Sequence, residues 1–342
     1  MVCVIIADFN LFFLPHAQVY SSRPYGCSLF VLSLIHGSVD IPCRDVWAVL
    51  IGDKPEIESW RYIIMDSRLP QALTALLAGG ALSVSGLLLQ TAFRNPLAAP
   101  DIFGVTSGAS LAVALLTLSP AFAVGTTLGY LSSVVVAFVG AIAVTAVIVF
   151  FSRLVRSSVI LIIIGIMTGY LCSSVITILN FLATEEGVKS FAVWGMGNFG
   201  NVSMAQMPLF ATITILATAS TFLFVKPLNA LLLGPHYAEN LGFNVRRIRN
   251  LLLLVTGLLT AVITAFCGPI SFLALAVPHI ARLILRTQNH RHLLPITLLT
   301  GSAIALLCNV LTSLPGENGI LPLNAITPMV GAPVIIYVLL RK

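Results

Sequence analysis

The stretch RLPQALTALLAGGALSVSGLLLQTAFRNPLAAPDIFGVTSGASL, residues 68–111, decides the fold. An arginine and a proline open a glycine- and alanine-rich apolar helix long enough to cross a bilayer. A polar Arg94-Asn95-Pro96-Leu97 turn follows, and then a second apolar helix rich in small residues. Small residues let helix backbones approach closely in lipid, where the hydrophobic effect does not drive helices together. The stretch therefore predicts an all-α, polytopic membrane protein of tightly packed helices.

Composition agrees with this reading. Apolar residues make up 58% of the 342 residues and charged residues 9%, against roughly 25% charged in an ordinary soluble domain. Further apolar segments are read against the roughly 20 residues that cross the hydrocarbon core. Spans are expected near 70–92, 100–118, 122–151, 158–182, 204–225, 250–268, 270–285, 293–313 and 324–340. A first span should precede Gly37-Ser38-Val39, for about ten in all, but only Tyr25–His36 is continuously apolar there, below Ser21-Ser22-Arg23-Pro24. A short first span, one displaced towards residues 1–14, and a divergent N-terminus all fit. Residues 1–36 are thus read as a divergent N-terminus and 37–342 as the transmembrane domain. Asp8 and Asn10 interrupt the apolar start and no basic residue precedes it, so no cleavable signal is expected.

Lys and Arg placement orients the spans, because basic residues stay on the cytoplasmic side. Alternate connections carry Arg94; Arg153 and Arg156; Lys226, Arg246, Arg247 and Arg249; Arg286 and Arg291; and Arg341 with Lys342. The intervening ones carry Arg44, Lys54, Arg61, Arg68 and Lys189, with most of the acids. The C-terminus is expected in the cytoplasm and the acidic 38–67 segment outside. The net charge of +6 is explained by this asymmetry, so no nucleic-acid partner is expected.

Little catalytic chemistry is visible. Cys3, Cys27, Cys43, Cys172, Cys267 and Cys308 form no metal-ligand spacing. There is no G-x-x-x-x-G-K-[ST] phosphate loop, so the chain is not expected to hydrolyse ATP. No metal site, cofactor or enzymatic activity is predicted. Transporters driven by ion gradients usually carry acids or histidines in the membrane; here only His279 lies at a span, with Asn180 and Asn309 as polar neighbours elsewhere. His279, beside Pro278, reads as a hydrogen-bonded helix-end residue rather than a haem or metal ligand. His290 and His292 read as topological or partner-contacting residues of a basic turn.

The longest cytoplasmic connection, KPLNALLLGPHYAENLGFNVRRIR at 226–249, holds two short helical stretches around Gly234-Pro235. A short amphipathic helix pair suits docking into a partner's groove, and a solvated connector fits equally well. The stretch CGPISFLALAVPHIARLILRTQNHRHLLP at 267–295 joins a Gly-Pro break, a Pro-His pair and a basic turn, and ILPLNAITPMVGAPVIIYVLLRK closes the chain at 320–342.

With residues 68–111, these stretches resemble the type II ABC importer permease family, which imports vitamin B12, haem and iron-siderophores. Members similarly read GxIxFxGLxxPHxxR followed by DHRxLLP, and end ELPIGVVTALIGAPFFIWLL. This chain departs at Ala274, Asn289, Ile320 and Asn324. The resemblance implies a permease fold of about ten helices in the bacterial inner membrane, paired with a second copy or a paralogue. It also implies two cytoplasmic ATPase subunits and a periplasmic or lipid-anchored substrate-binding protein. An iron-siderophore is the first expectation for the substrate, with haem and cobalamin behind it. In the family the loop at Gly234, Pro235, Ala238, Glu239, Leu241 and Gly242 sits on the ATPase.

An RLPR motif docks the family's binding protein through arginines. Arg68 matches the first, Gln71 replaces the second, and a further docking arginine aligns with Ser313. Arg68 is therefore expected to dock the binding protein, with Arg61 or Lys189 as substitutes, or else to anchor in headgroups. Asn324 is a guess for the pathway. An ion-gradient-driven secondary transporter is the alternative class.

Overall fold

A computed structural model describes residues 23–37, 39–118, 129–155, 157–314 and 319–340. Residues 1–14, residues 122–128 of one expected span, Arg156, and the terminal Arg341 and Lys342 lie outside them. The described chain is helical throughout, without strands. In order it forms α1 (Arg23–Ile35), α2 (Cys43–Ile51), α3 (Glu58–Ala92), α4 (Val105–Leu118), α5 (Gly129–Leu154), α6 (Ser158–Leu182) and α7 (Glu185–Gly195). There follow α8 (Met207–Thr221), α9 (Val225–Leu232), α10 (Pro235–Asn240), α11 (Val245–Cys267), α12 (Leu273–Leu285), α13 (His290–Thr312) and α14 (Leu323–Leu340).

Helix α3 is the axis of the bundle, packed against α13, α12, α11 and α8. Of its most apolar window 83% is buried, against 17% for α6, which stands at the rim. Two glycines explain the tightness at the axis. A Cβ on Gly79 would meet Gly301 O at 2.5 Å, and one on Gly86 would meet Ala274 O at 1.7 Å, so α13 and α12 touch the α3 backbone itself. Hydroxyls at this axis turn back onto their own helix: Thr74 donates to Pro70 O, Ser83 to Gly79 O and Ser85 to Ala81 O. These three donors are thereby satisfied within an apolar interior.

Helix α1 is described from Arg23 to Ile35. The thirteen described residues of α1 span about 20 Å at 1.5 Å each. The expected 100–118 span begins later, at Val105. Pro100 lies in the turn that precedes it, and Gly104, at φ +75°, completes that turn. The 204–225 span continues through a 3-10 turn at Phe222–Phe224 into α9. Between α11 and α12 the chain breaks at Gly268 (φ +75°) and at Phe272 (φ +69°). A bulky residue with positive φ is rare and strained.

Candidate functional site

The loop expected to meet a partner forms as two short helices. Gly234, at φ +115°, turns α9 into α10, and Pro235 opens α10. Gly242, at φ +86°, closes α10: Phe243 N donates to Ala238 O at 3.0 Å and Gly242 N to Glu239 O at 2.9 Å. This is the left-handed helix end that favours glycine. A Cβ on either glycine would meet nothing within 4 Å, so both are required for backbone shape and not for room.

Ala238 is fully buried in a cluster with Leu228, Leu231, Ile248 and Leu252, which seats α10 on the bundle. The opposite face is open. Leu233 (66% exposed), Tyr237 (49%) and Leu241 (55%) recur at four-residue spacing, with Pro235 and Glu239 also exposed. Leu233 and Tyr237 went unremarked in the sequence, although their spacing with Leu241 was there to be counted. His236 Nδ1 lies 3.8 Å from Glu239 Oε2, both side chains exposed.

His279 Nε2 lies 3.0 Å from Pro96 O, which ties α12 to the turn after α3. Arg282 Nη1 donates to Gln90 Oε1 at 2.6 Å, and Gln90 Nε2 to Leu275 O at 3.2 Å. His292 is exposed, but His290 is fully buried, which rules out the surface contact expected for it. Asn289 caps α13 by accepting Arg291 N at 3.0 Å. Asparagine and aspartate cap about equally well, so this departure leaves the helix start intact. Among the described residues no three His, Cys, Asp or Glu side chains converge as a metal site.

At the other end of the bundle, the expectation for Arg68 is corrected. Its side chain is only 5% exposed, and it offers neither a docking charge nor a headgroup anchor. Nη1 donates to Leu34 O at 2.9 Å and Ile35 O at 2.7 Å, and Nη2 donates to Val39 O. Carbonyls at a helix C-terminus have no partner within the helix and carry partial negative charge, and Arg68 satisfies those of α1. Arg249 does the same for α5: its Nη2 donates to Ser152 O at 3.0 Å and Val155 O at 3.1 Å. Ionisable residues inside the bundle are thus more numerous than His279 alone. Arg61 and Lys189 are exposed.

Asn324 forms a structural tie. Its Nδ2 donates to Gly195 O at 3.0 Å and Pro269 O at 2.7 Å, and its Oδ1 accepts from Ser271 N at 3.1 Å. Beside it a cavity of about 370 Å³ opens among α4, α7, α13 and α14, lined by Thr117, Trp194, Asn198, Asn309, Thr312 and Leu323 among others.

The fold and these surfaces define a multi-pass, all-helical membrane protein with a shaped helical loop at one end. The FecCD transport family matches residues 27–341. The hemin transport system permease protein HmuU of Yersinia pestis is 31% identical over 307 residues, covering 90% of each chain. The vitamin B12 import system permease protein BtuC of Salmonella typhi is 35% identical over 324 residues, or 92% of this chain and 94% of that one. A solved structure of an inward-facing metal-chelate type ABC transporter superposes with a TM-score of 0.81 at 27% identity, covering 94% of this chain and 98% of that one. The chain belongs to the FecCD transport family.

Proposed function

We propose that this chain is the transmembrane permease subunit of an ABC importer for a bulky substrate of the iron-siderophore, haem or cobalamin kind. It pairs with a second copy or a paralogue, two cytoplasmic ATPase subunits and a substrate-binding protein on the outer side of the bacterial inner membrane. ATP is hydrolysed in the partner subunits, and no covalent chemistry takes place in this one. The C-terminus and the α9–α10 loop face the cytoplasm.

The observation that carries this reading is the α9–α10 loop. Ala238 pins it to the bundle while Leu233, Tyr237 and Leu241 present an apolar face beside exposed Glu239. Gly234 and Gly242 fix that face at a set angle. Such a surface suits a groove on an ATPase subunit. On the outer side, Arg61 and Lys189 are among the exposed cations, and we assign them to contact with the binding protein.

The test is Leu241→Glu in the reconstituted importer. Uptake and the stimulation of ATP hydrolysis by loaded binding protein should both be lost, with the permease still in the membrane. Persistence of both removes the loop from coupling. Uptake by the parent complex that collapses with an ionophore while ATP is held constant would instead make it a secondary transporter.

A further inference from the structure

His290, the first residue of α13, sits where the loop meets the axis of the bundle. Its backbone N–H donates to Asn229 Oδ1 of α9 at 2.8 Å. A backbone N–H can only donate, so the Asn229 amide turns its oxygen towards His290. The same Oδ1 lies 3.0 Å from the ring Nδ1, and Nδ1 therefore carries the proton. Nε2 is left as an acceptor, and Thr91 Oγ1 of α3, 2.8 Å away, is positioned to donate to it. That hydroxyl also lies 3.0 Å from Leu87 O. Leu87 O already receives a helical N–H, and the ring nitrogen is the nearer acceptor, so the hydroxyl proton goes to the ring. Asn229 Nδ2 donates the other way, to Asn289 Oδ1, at 2.9 Å.

One imidazole thus joins three elements: α9 of the loop, the start of α13, and the end of α3. The rest of that contact is apolar, with Leu228 and Leu231 facing Leu87, Leu88, Leu293 and Leu294. Apolar contact is non-directional and resists separation more than sliding. Hydrogen bonds with fixed lone-pair directions resist sliding and rotation.

We propose that His290 is a positioning residue that locks the register of α9 against α3, so that displacement of the loop by the ATPase moves the axis helix instead of slipping past it. This rests on the importer reading above. His290 and Thr91 are buried and Asn229 is half-buried, all apart from the exposed face at Leu241.

The experiment uses the complex of permease, ATPase and binding protein in liposomes, offered haemin, cyanocobalamin and a ferric hydroxamate siderophore in turn. A parent complex that takes up none of them with ATP overturns the importer reading, and this proposal with it. With a transporting parent, His290→Ala, Asn229→Ala and Thr91→Val each test one part of the chain of bonds. Coupling between sites commonly spans about 5- to 150-fold, and substrate taken up per ATP hydrolysed should fall by about tenfold at equal amounts of assembled complex. The Asn229→Ala/His290→Ala double variant should be no worse than His290→Ala alone. His290→Asn, which keeps a donor near the Nδ1 position, should recover part of the ratio. An unchanged ratio, or uptake and hydrolysis that fall together with the quantity of assembled protein, overturns the proposal. Should His290→Ala fail to assemble, the partly exposed Asn229→Ala and the isosteric Thr91→Val decide by the same ratio.

Discussion

Gln71 and Asn309, 238 residues apart in sequence, meet inside the bundle: Gln71 Nε2 donates to Asn309 Oδ1 at 2.9 Å. Asn309 Nδ2 continues to Ser33 Oγ at 2.9 Å, so three side chains tie α3, α13 and α1 together. Gln71 stands where the resembling family has the second arginine of its motif, and here the position is turned inward. A buried polar group left without its partner costs about 1–3 kcal/mol. Asn309→Ala should therefore lower the melting temperature of the detergent-solubilised protein measurably. The Gln71→Ala/Asn309→Ala double variant should lose clearly less than the sum of the singles, as contacting residues do. Additive losses would show that the pair is not coupled.

Gly86→Val tests the closest backbone approach. Ala274 O cannot move aside as a flexible side-chain tip would, and a Cβ there would sit 1.7 Å from it. Overpacking costs about 1–3 kcal/mol, and more where backbone must shift. The variant should be poorly folded by size-exclusion profile and thermal melt. Gly195→Ala is the matched control, since a Cβ there meets nothing within 4 Å. A normal melt for Gly86→Val would remove the α3–α12 contact from the account of the fold.

Arg68 and Arg61 should separate stability from docking. Arg68→Ala strips the carbonyls of Leu34 and Ile35 of their donor and should lower thermal stability. Arg61→Glu and Lys189→Glu change exposed charges, which usually alter stability by no more than about 0.5 kcal/mol. They should instead slow association with the binding protein and make it less salt-dependent. Surface plasmon resonance across a salt series reads this directly. Undiminished association in both variants would leave the outer docking surface unassigned.

Most of the helical plan could be read from apolar runs and breakers. The 158–182 segment is a helix over those same residues, and the two loop helices fall on either side of Gly234, with Pro235 opening the second. The failures have a common cause. Arg68 looks like an exposed polar group at a span end, and linear sequence does not reveal which carbonyls another segment brings to it. The same blindness hid Arg249, counted among loop cations although its guanidinium lies inside against α5. The late start of α4 was readable in Pro100 and Gly104, but the hydropathy of residues 98–104 masked it.

The Asn324 tie also has a mechanical consequence. Besides its three side-chain bonds, Asn324 N donates to Met196 O at 3.1 Å, and nearby Asn198 N donates to Cys267 O at 2.8 Å. These bonds stitch the end of α7, the broken corner between α11 and α12, and the start of α14 into one stiff knuckle. At a net of about 0.5–1.5 kcal/mol per hydrogen bond, tilting α7 alone means breaking several at once. This rim of the bundle therefore shifts as a block or stays still, and flexing is left to the helix stems beyond it.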